Sequence, residues 1–302
     1  MKLLLTGDIH ITGDRPTNRI DNYWETVKGK VKFILDTAQE RGIRIVLCPG
    51  DFTDTPILSW IEFYEIQNLL RSYQDWINFY VTFGQHDMRY RTKPNTALMA
   101  LYHSTPNIFL LDNTSEKFSD THIYGCSYNS EVPEPDKKTV FNILLIHRMI
   151  IDKKLWSKQE EYEPSNLFLR QHEFDLIVSG DNHQPFDCKT PGGRWLFNCG
   201  AMMRNKIDMV EHKPYVVIFD TETKEHEKVY IPIKPAEEVF KMDKAIEEKE
   251  KNQELEAFVS GLSTNKEMDL KFEDNLAAYI RENQIPDEIS SIAINSLKER
   301  RR

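Results

Sequence analysis

Long apolar runs are missing from this 302-residue chain, and so is any excess of basic charge. A membrane-spanning helix takes about 20 consecutive apolar residues, and no stretch comes near that length. The opening Met1-Lys2-Leu3-Leu4-Leu5 meets Asp8 at once, too soon for a signal peptide. A formal charge of −9 argues against binding nucleic acid by bulk charge, although a local basic patch is compatible with it. Cysteine is scarce: Cys48, Cys126, Cys188 and Cys199 show no CxxC spacing, and the first two fall in apolar strand-like runs. Buried free thiols in a reducing cytosol are therefore expected. Nor is there a repeat or a low-complexity tract. The expectation is a cytoplasmic globular protein with no membrane partner.

What the chain does have is a set of short apolar runs that end alike. Leu3 to Thr6 leads into Gly7-Asp8-Ile9-His10, and Ile43 to Cys48 into Gly50-Asp51-Phe52-Thr53-Asp54. Phe79 to Phe83 leads into Gly84-Gln85-His86-Asp87, Val140 to Ile146 into His147, and Asp175 to Ser179 into Gly180-Asp181-Asn182-His183. Open α/β sheets place their ligands beyond the carboxyl ends of their strands. Five strand ends that each deliver Asp, His or an amide describe a metal site.

The connecting segments fit that reading. Tyr23, Val27, Val31, Ile34, Leu35 and Ala38 recur at helical spacing, with Gly42 as the stop. A second helix is expected with Pro56 in its first turn and Leu58, Ile61, Phe63, Ile66, Leu69 and Leu70 as its apolar set, and a third from about Asn95 to His103. From Ile123 onward strands dominate, the last of them expected from Lys228 to Ile233, with Pro191-Gly192-Gly193 as a hairpin turn. Alternating β and α first, then mostly β, predicts two sheets packed face to face with helices outside.

Two hard divalent ions can activate a water and clamp an in-line displacement at phosphorus, which calls for mixed carboxylate and imidazole ligands. Asp8 and His10, two apart, can face one cleft. Asp51 can bridge, and Gln85, His147, Asp181 and His183 complete the shells. His86 is left over, free to act as a general acid or to hold a phosphate oxygen. Simpler roles exist for single residues: Asp54 as a helix N-cap, Asp87 as the closure of its own turn. The conjunction carries the metal reading.

These five blocks, in this order, resemble the calcineurin-like metallophosphoesterase superfamily, and most closely the SbcD-type DNA repair nucleases and their phage relatives. The match covers roughly residues 1 to 235. The resemblance implies a four-layer αββα sandwich of two mixed sheets flanked by helices, with Asp8, His10, Asp51 and His183 on a first metal. Asp51 would bridge to a second, held also by Gln85, His147 and Asp181. His86 would be the catalytic histidine, with Asp54 orienting it through a carboxylate–imidazole hydrogen bond. The ions would be manganese, with magnesium as the alternative, and the reaction phosphodiester hydrolysis in DNA recombination and repair. The implied partners are DNA, an SbcC-like coiled-coil ATPase subunit and a second copy of the chain.

Two positions depart from the family pattern. Gln85 stands where Asn is usual, one methylene longer, and Asp181 where His is usual. Carboxylate oxygen suits manganese or magnesium better than softer ions. Beyond His86, Arg89, Tyr90, Arg91 and Lys93 form a basic loop with one aromatic, either a solvated loop or a phosphate-tracking one.

After residue 235 the composition shifts. Residues 236–302 read as a charged linker and a small helical appendage, whose apolar set Ile285, Ile289, Ile292, Ala293 and Leu297 would dock on the ATPase or back on its own domain. Two rival readings keep the fold: a phosphatase or phosphodiesterase for small phosphoesters, and an inactive binding scaffold. Thr55-Pro56 after Asp54 disfavours the protein phosphatases, which usually carry Arg-Gly there.

Overall fold

The structure, a computed structural model, describes residues 1–154, 162–206 and 209–241 and the single positions 280, 286 and 290. The chain divides into two compact units, Met1–Val239 and Phe240–Arg302. Within the second, the Ser290 N–H donates to the Pro286 carbonyl at 3.0 Å. The apolar set expected to dock, Ile285, Ile289, Ile292, Ala293 and Leu297, and most of the charged linker lie outside the described residues.

The first unit runs β1 (Lys2–Leu5), α1 (Tyr23–Glu40), β2 (Ile45–Cys48), α2 (Trp60–Arg71), β3 (Asn78–Val81), α3 (Ala97–Ser104), β4 (Ile108–Leu110), β5 (Ser115–Lys117), β6 (Thr121–Cys126) and β7 (Phe141–His147). It continues with β8 (Ile150–Ile151), β9 (Glu163–Pro164), α4 (Ser165–Gln171), β10 (Leu176–Gly180), β11 (Phe186–Lys189), β12 (Trp195–Asn198), β13 (Tyr215–Asp220), β14 (His226–Tyr230) and α5 (Ala236–Val239). One six-stranded sheet has the order β14-β13-β1-β2-β3-β4, the other β11-β12-β10-β7-β6-β5. Strands β1 to β4 are mutually parallel, as are β6, β7, β10 and β12, and antiparallel strands close both sheets into mixed ones.

Because side chains alternate along a strand, each central strand serves two apolar layers. Leu3 and Leu5 pack with Leu47, Leu145, Val178 and Phe197 between the sheets. Leu4, Val46, Phe79 and Val81 face the other way, onto Val27, Val31 and Ile34 of α1, Ile66 and Leu70 of α2 and Leu98 of α3. On the far side of the second sheet, Leu144, Ile146 and Ile177 meet Phe168 and Leu169 of α4. The result is the four-layer αββα sandwich. Both faces of the central strands are covered, which is why they read as unbroken apolar runs.

Two local expectations need correcting. α2 begins at Trp60, not in the turn containing Pro56. Ser59 caps it in a capping box with Glu62, which pairs two backbone donors at that end and so starts the helix four residues later than its apolar spacing suggests. Pro56 instead accepts from the Ala97 N–H at 2.7 Å, joining the segment before α2 to the start of α3. The last strand is His226–Tyr230, earlier than the run Lys228 to Ile233. Its register against β13 fixes it there, Tyr230 opposite Tyr215.

Candidate metal centre

The turns after β1, β2 and β3 are bound to one another through their backbones. The N–H groups of Ile9 and His10 both donate to the Asp51 carbonyl, at 3.2 and 2.9 Å. Asp87, fully buried, accepts from the N–H groups of Phe52, Thr53 and Gly84 and from the Thr53 hydroxyl. It closes its own turn through Gly84, as its position suggests, and also pins the turn that carries Asp51 to the turn that carries Gln85 and His86. Burial and the nearby Asp51 charge push its carboxyl up to about 6. Gly84 is required by contact: a Cβ there would lie 2.0 Å from Asp51 Oδ1. Gly50, at φ +108°, would place a Cβ 2.5 Å from His147 Nδ1.

Asp51 sits at the centre. Its Oδ1 accepts from the His86 N–H at 2.9 Å, while its buried Oδ2 has no hydrogen-bond partner. That oxygen lies 3.8 Å from His10 Nε2 and 3.5 Å from His147 Nε2. A bare carboxylate oxygen aimed between two imidazole nitrogens fits a ligand shared by two cations. On one side, His10 Nε2 faces His183 Nε2 at 3.0 Å, with Asp8 Oδ2 3.7 Å from the latter. Asp8, His10 and His183 can close around one ion, and so can His10, Asp51 and His86. On the other side, His147 Nε2 faces Gln85 Oε1 at 2.7 Å. These residues fit two divalent ions: three imidazoles, two buried carboxylates and an amide oxygen converge with few competing protein donors.

Three of the imidazoles are held from behind, as metal-binding histidines usually are. His147 Nδ1 donates to the Pro49 carbonyl at 2.9 Å, which turns Nε2 to the cleft. Asp54 departs from the role the resemblance implies. Its carboxylate Oδ1 lies 2.9 Å from His10 Nδ1, close but off the direction of a straight ring N–H bond, and 3.7 Å from His86 Nδ1. His86 Nδ1 bonds the Asp54 backbone carbonyl instead, at 2.8 Å. One residue thus orients both histidines, His10 by its side chain and His86 by its main chain. The carboxylate lies nearer the buried His10 ring than the exposed His86 ring.

The electrostatics follow from burial and charge pairing. Burial drives the Asp8 carboxyl upward, against the pull of His147 and His10. Burial opposes ionisation of Asp51 too, but the facing His147 imidazole, with the charges of His10 and His86, holds it below the usual range. Burial and the neighbouring His10 lower His183 to about 4, which leaves it neutral as a ligand must be. Three non-glycine residues of the site also take left-handed backbone: His10 at φ 52°, Asp51 at 46° and Asp181 at 80°. Such conformations persist where surrounding bonds over-determine them, and they cluster at functional sites.

A sixth strand end, which the motif pattern does not reveal, supports Asp8. After β12, the Gly200 carbonyl accepts from the Asp8 N–H at 3.1 Å and the Met202 N–H returns to the Asp8 carbonyl at 2.9 Å. Lys30 of α1, buried, donates to the Met202 carbonyl at 2.7 Å. Burial, with the charges of Arg19 and Arg204, pulls the Lys30 ammonium down to about 7. The signal available in sequence is slight: Asn198 and Gly200 after an apolar run.

The basic loop resolves into a tip and an anchor. Arg89 and Thr92 exchange both backbone hydrogen bonds, at 2.9 and 2.8 Å, with Tyr90 and Arg91 left-handed between them. That is a tight primed turn, usually built from Asn and Gly, here carrying a Tyr that is 88% exposed. The Arg89 guanidinium lies 5.6 Å from the Tyr90 ring centre. Lys93 is not part of the exposed group: its ammonium pairs with Asp112 beneath the loop.

Residues 1–185 match the family model described as Metallophos, calcineurin-like phosphoesterase. The chain belongs to this family. No curated protein matches it. Among solved structures it is similar to TT1561 of Thermus thermophilus, at 12% identity over 76% of this chain and 99% of that one, with a TM-score of 0.49. Wild-type Vps29 of Entamoeba histolytica, solved with zinc, is 15% identical over 77% of this chain and 100% of that one, with a TM-score of 0.36. Family membership makes the centre that of a metal-dependent phosphoesterase. Among the described residues no helix is long and apolar enough to cross a membrane.

Proposed function

We propose that this calcineurin-like phosphoesterase hydrolyses phosphodiester bonds in DNA, as a nuclease of the SbcD type acting in recombination and double-strand-break repair. The observation that carries the reading is the placement of an exposed basic and aromatic tip, Arg89-Tyr90-Arg91, three residues beyond the exposed His86. Guanidinium groups track phosphates and a solvent-facing aromatic ring offers a stacking surface for a base. A small phosphoester would need neither.

In this reading Asp8, His10, Asp51 and His183 hold one divalent ion, and Asp51, Gln85 and His147, with Asp181 nearby, hold the other. Manganese is the preferred ion and magnesium the alternative, since half of the donors are oxygen. When bound, the ions supply charge neutralisation at phosphorus and an activated nucleophile. The chain's own contribution is positional. His86, its Nδ1 held by the Asp54 carbonyl, keeps Nε2 at the open mouth, where it can donate a proton to the leaving oxygen as the P–O bond breaks. Arg89 and Arg91 draw the flanking phosphates toward that mouth. An SMC-like coiled-coil ATPase as partner, and pairing of two copies, rest on the resemblance and on the 285–297 spacing alone.

The test is hydrolysis of labelled linear duplex and single-stranded DNA with manganese, beside bis-(p-nitrophenyl) phosphate as a generic diester. Wild type degrades DNA, and His86→Ala lowers the rate by about 10²- to 10⁴-fold while still binding metal. Activity on the small diester with none on DNA in either form would overturn the nuclease reading and leave the phosphodiesterase.

A further inference from the structure

The two residues that depart from the family pattern touch each other. Gln85 follows β3 and Asp181 follows β10, on different sheets and 96 positions apart, yet Gln85 Nε2 donates to Asp181 Oδ1 at 2.8 Å. The other end of the same amide, Oε1, is the atom that faces His147 Nε2 at 2.7 Å. Asp181 is itself fixed from the first-ion side, because its N–H donates to Asp8 Oδ2 at 3.0 Å. A single residue therefore links a ligand of one ion to a ligand of the other.

The chemistry gives that link a purpose. A primary amide has two ends of nearly equal shape, of which only the oxygen can bind a cation. Glutamine has one more torsion than asparagine with which to present the wrong end. An ionised carboxylate accepts and never donates, so it takes the N–H end and leaves the oxygen for the cleft. We infer that Gln85 and Asp181 form one positioning unit, in which Asp181 accepts from Gln85 Nε2 and so turns Oε1 toward the second-ion position. Its carboxylate acts through Gln85 and is not an independent ligand, unlike the residue usual at that place. The two departures from the family pattern then constitute one change. This inference rests on the two-ion reading of the centre.

The experiment is calorimetric titration of the full metal-free chain with Mn²⁺ alone, comparing wild type with Gln85→Ala, Asp181→Ala, the double variant and Asp181→Asn. Wild type takes up two ions. Asp181→Ala weakens the second by about 10- to 100-fold, the usual loss when an outer partner of a ligand is removed, and Gln85→Ala, which removes the ligand oxygen itself, weakens it at least as much. The first-ion affinity is unchanged, which shows the centre still folded. The double variant is no weaker than the weaker single variant, because the residues act as a unit. Asp181→Asn, which keeps an acceptor oxygen and loses the charge, recovers most of the affinity. The inference is overturned, with the two-ion reading intact, if the alanine losses multiply in the double variant, if Asp181→Ala leaves the second ion untouched, or if Asp181→Asn is as weak as Asp181→Ala. A wild-type chain that binds a single ion overturns the two-ion reading itself, and the inference with it.

Discussion

The two sheets contribute to the centre in different ways. Turns on the first sheet support one another: the Asp51 carbonyl holds the turn after β1, and Asp87 joins the turns after β2 and β3. Site residues on the second sheet lean across to the first. His147 is aimed by the Pro49 carbonyl, and the Asp181 N–H reaches the Asp8 carboxylate. Half of the centre is therefore a self-braced frame, and the other half is set by contact with it. Gln85 and Asp181, which depart from the pattern that the resemblance implies, fall at the seam, where one side can answer the other. Of the two carboxylates that tie the frame together, Asp87 is committed to backbone donors at both oxygens, and Asp51 keeps Oδ2 uncommitted.

The largest effect should come from the residue both halves share. Asp51→Asn places an amide where a charge lies between two imidazoles. Calorimetry with Mn²⁺ should find both ions weakened by more than about 100-fold. Loss confined to one ion would mean that the halves are independent. Next comes the frame itself. Asp87→Asn turns an NH₂ group toward backbone donors, and should lower denaturant stability by about 1–3 kcal/mol while weakening both ions together. If stability falls and metal affinity does not, the frame braces the fold but not the centre.

Smaller effects lie farther out. Arg89→Ala with Arg91→Ala should leave hydrolysis of the small diester unchanged, weaken DNA binding and flatten its dependence on salt by about 0.9 in log–log slope per lost phosphate contact. An unchanged slope would return the tip to an ordinary solvated turn. The last is a pH effect behind Asp8. Lys30 is held at about 7 in the folded chain against an ordinary lysine value of 10.5. Between those values the unfolded chain holds a proton that the folded chain lacks, so stability rises with pH there. Lys30→Met should flatten that rise, measured as the denaturant midpoint of metal-free protein from pH 7 to 9.5, by at most about 1.4 kcal/mol per pH unit.

The frame was more legible in the sequence than the details within it. Apolar runs covered on both faces announce central parallel strands, and their polar endings announce Asp8, His10, Asp51, Gln85, His86, His147, Asp181 and His183. Spacing could not say that the Asp54 carboxylate serves His10 while its carbonyl serves His86. His10 and Asp51 also take left-handed backbone, which no residue spacing announces. The second reach of Asp87, from its own turn to Phe52 and Thr53, crosses between strands and leaves no local trace. Lys93 shows the converse: in a basic run it looks like its neighbours, yet Asp112, nineteen positions on, claims it.

The family model ends at residue 185, and every ion ligand lies before that point. The sheets do not end there. β1, which delivers Asp8 and His10, is paired along its whole length with β13, more than two hundred residues later, and β10 needs β12 on its outer side. A nascent chain that has just emitted His183 thus possesses the complete ligand inventory and still exposes two unpaired strand edges beneath it, the kind of edge that invites association with other chains. Synthesis must run on to about Asp220 before β1 can be paired along that edge, so the strands that seal the sheets come later in the chain than the last ligand.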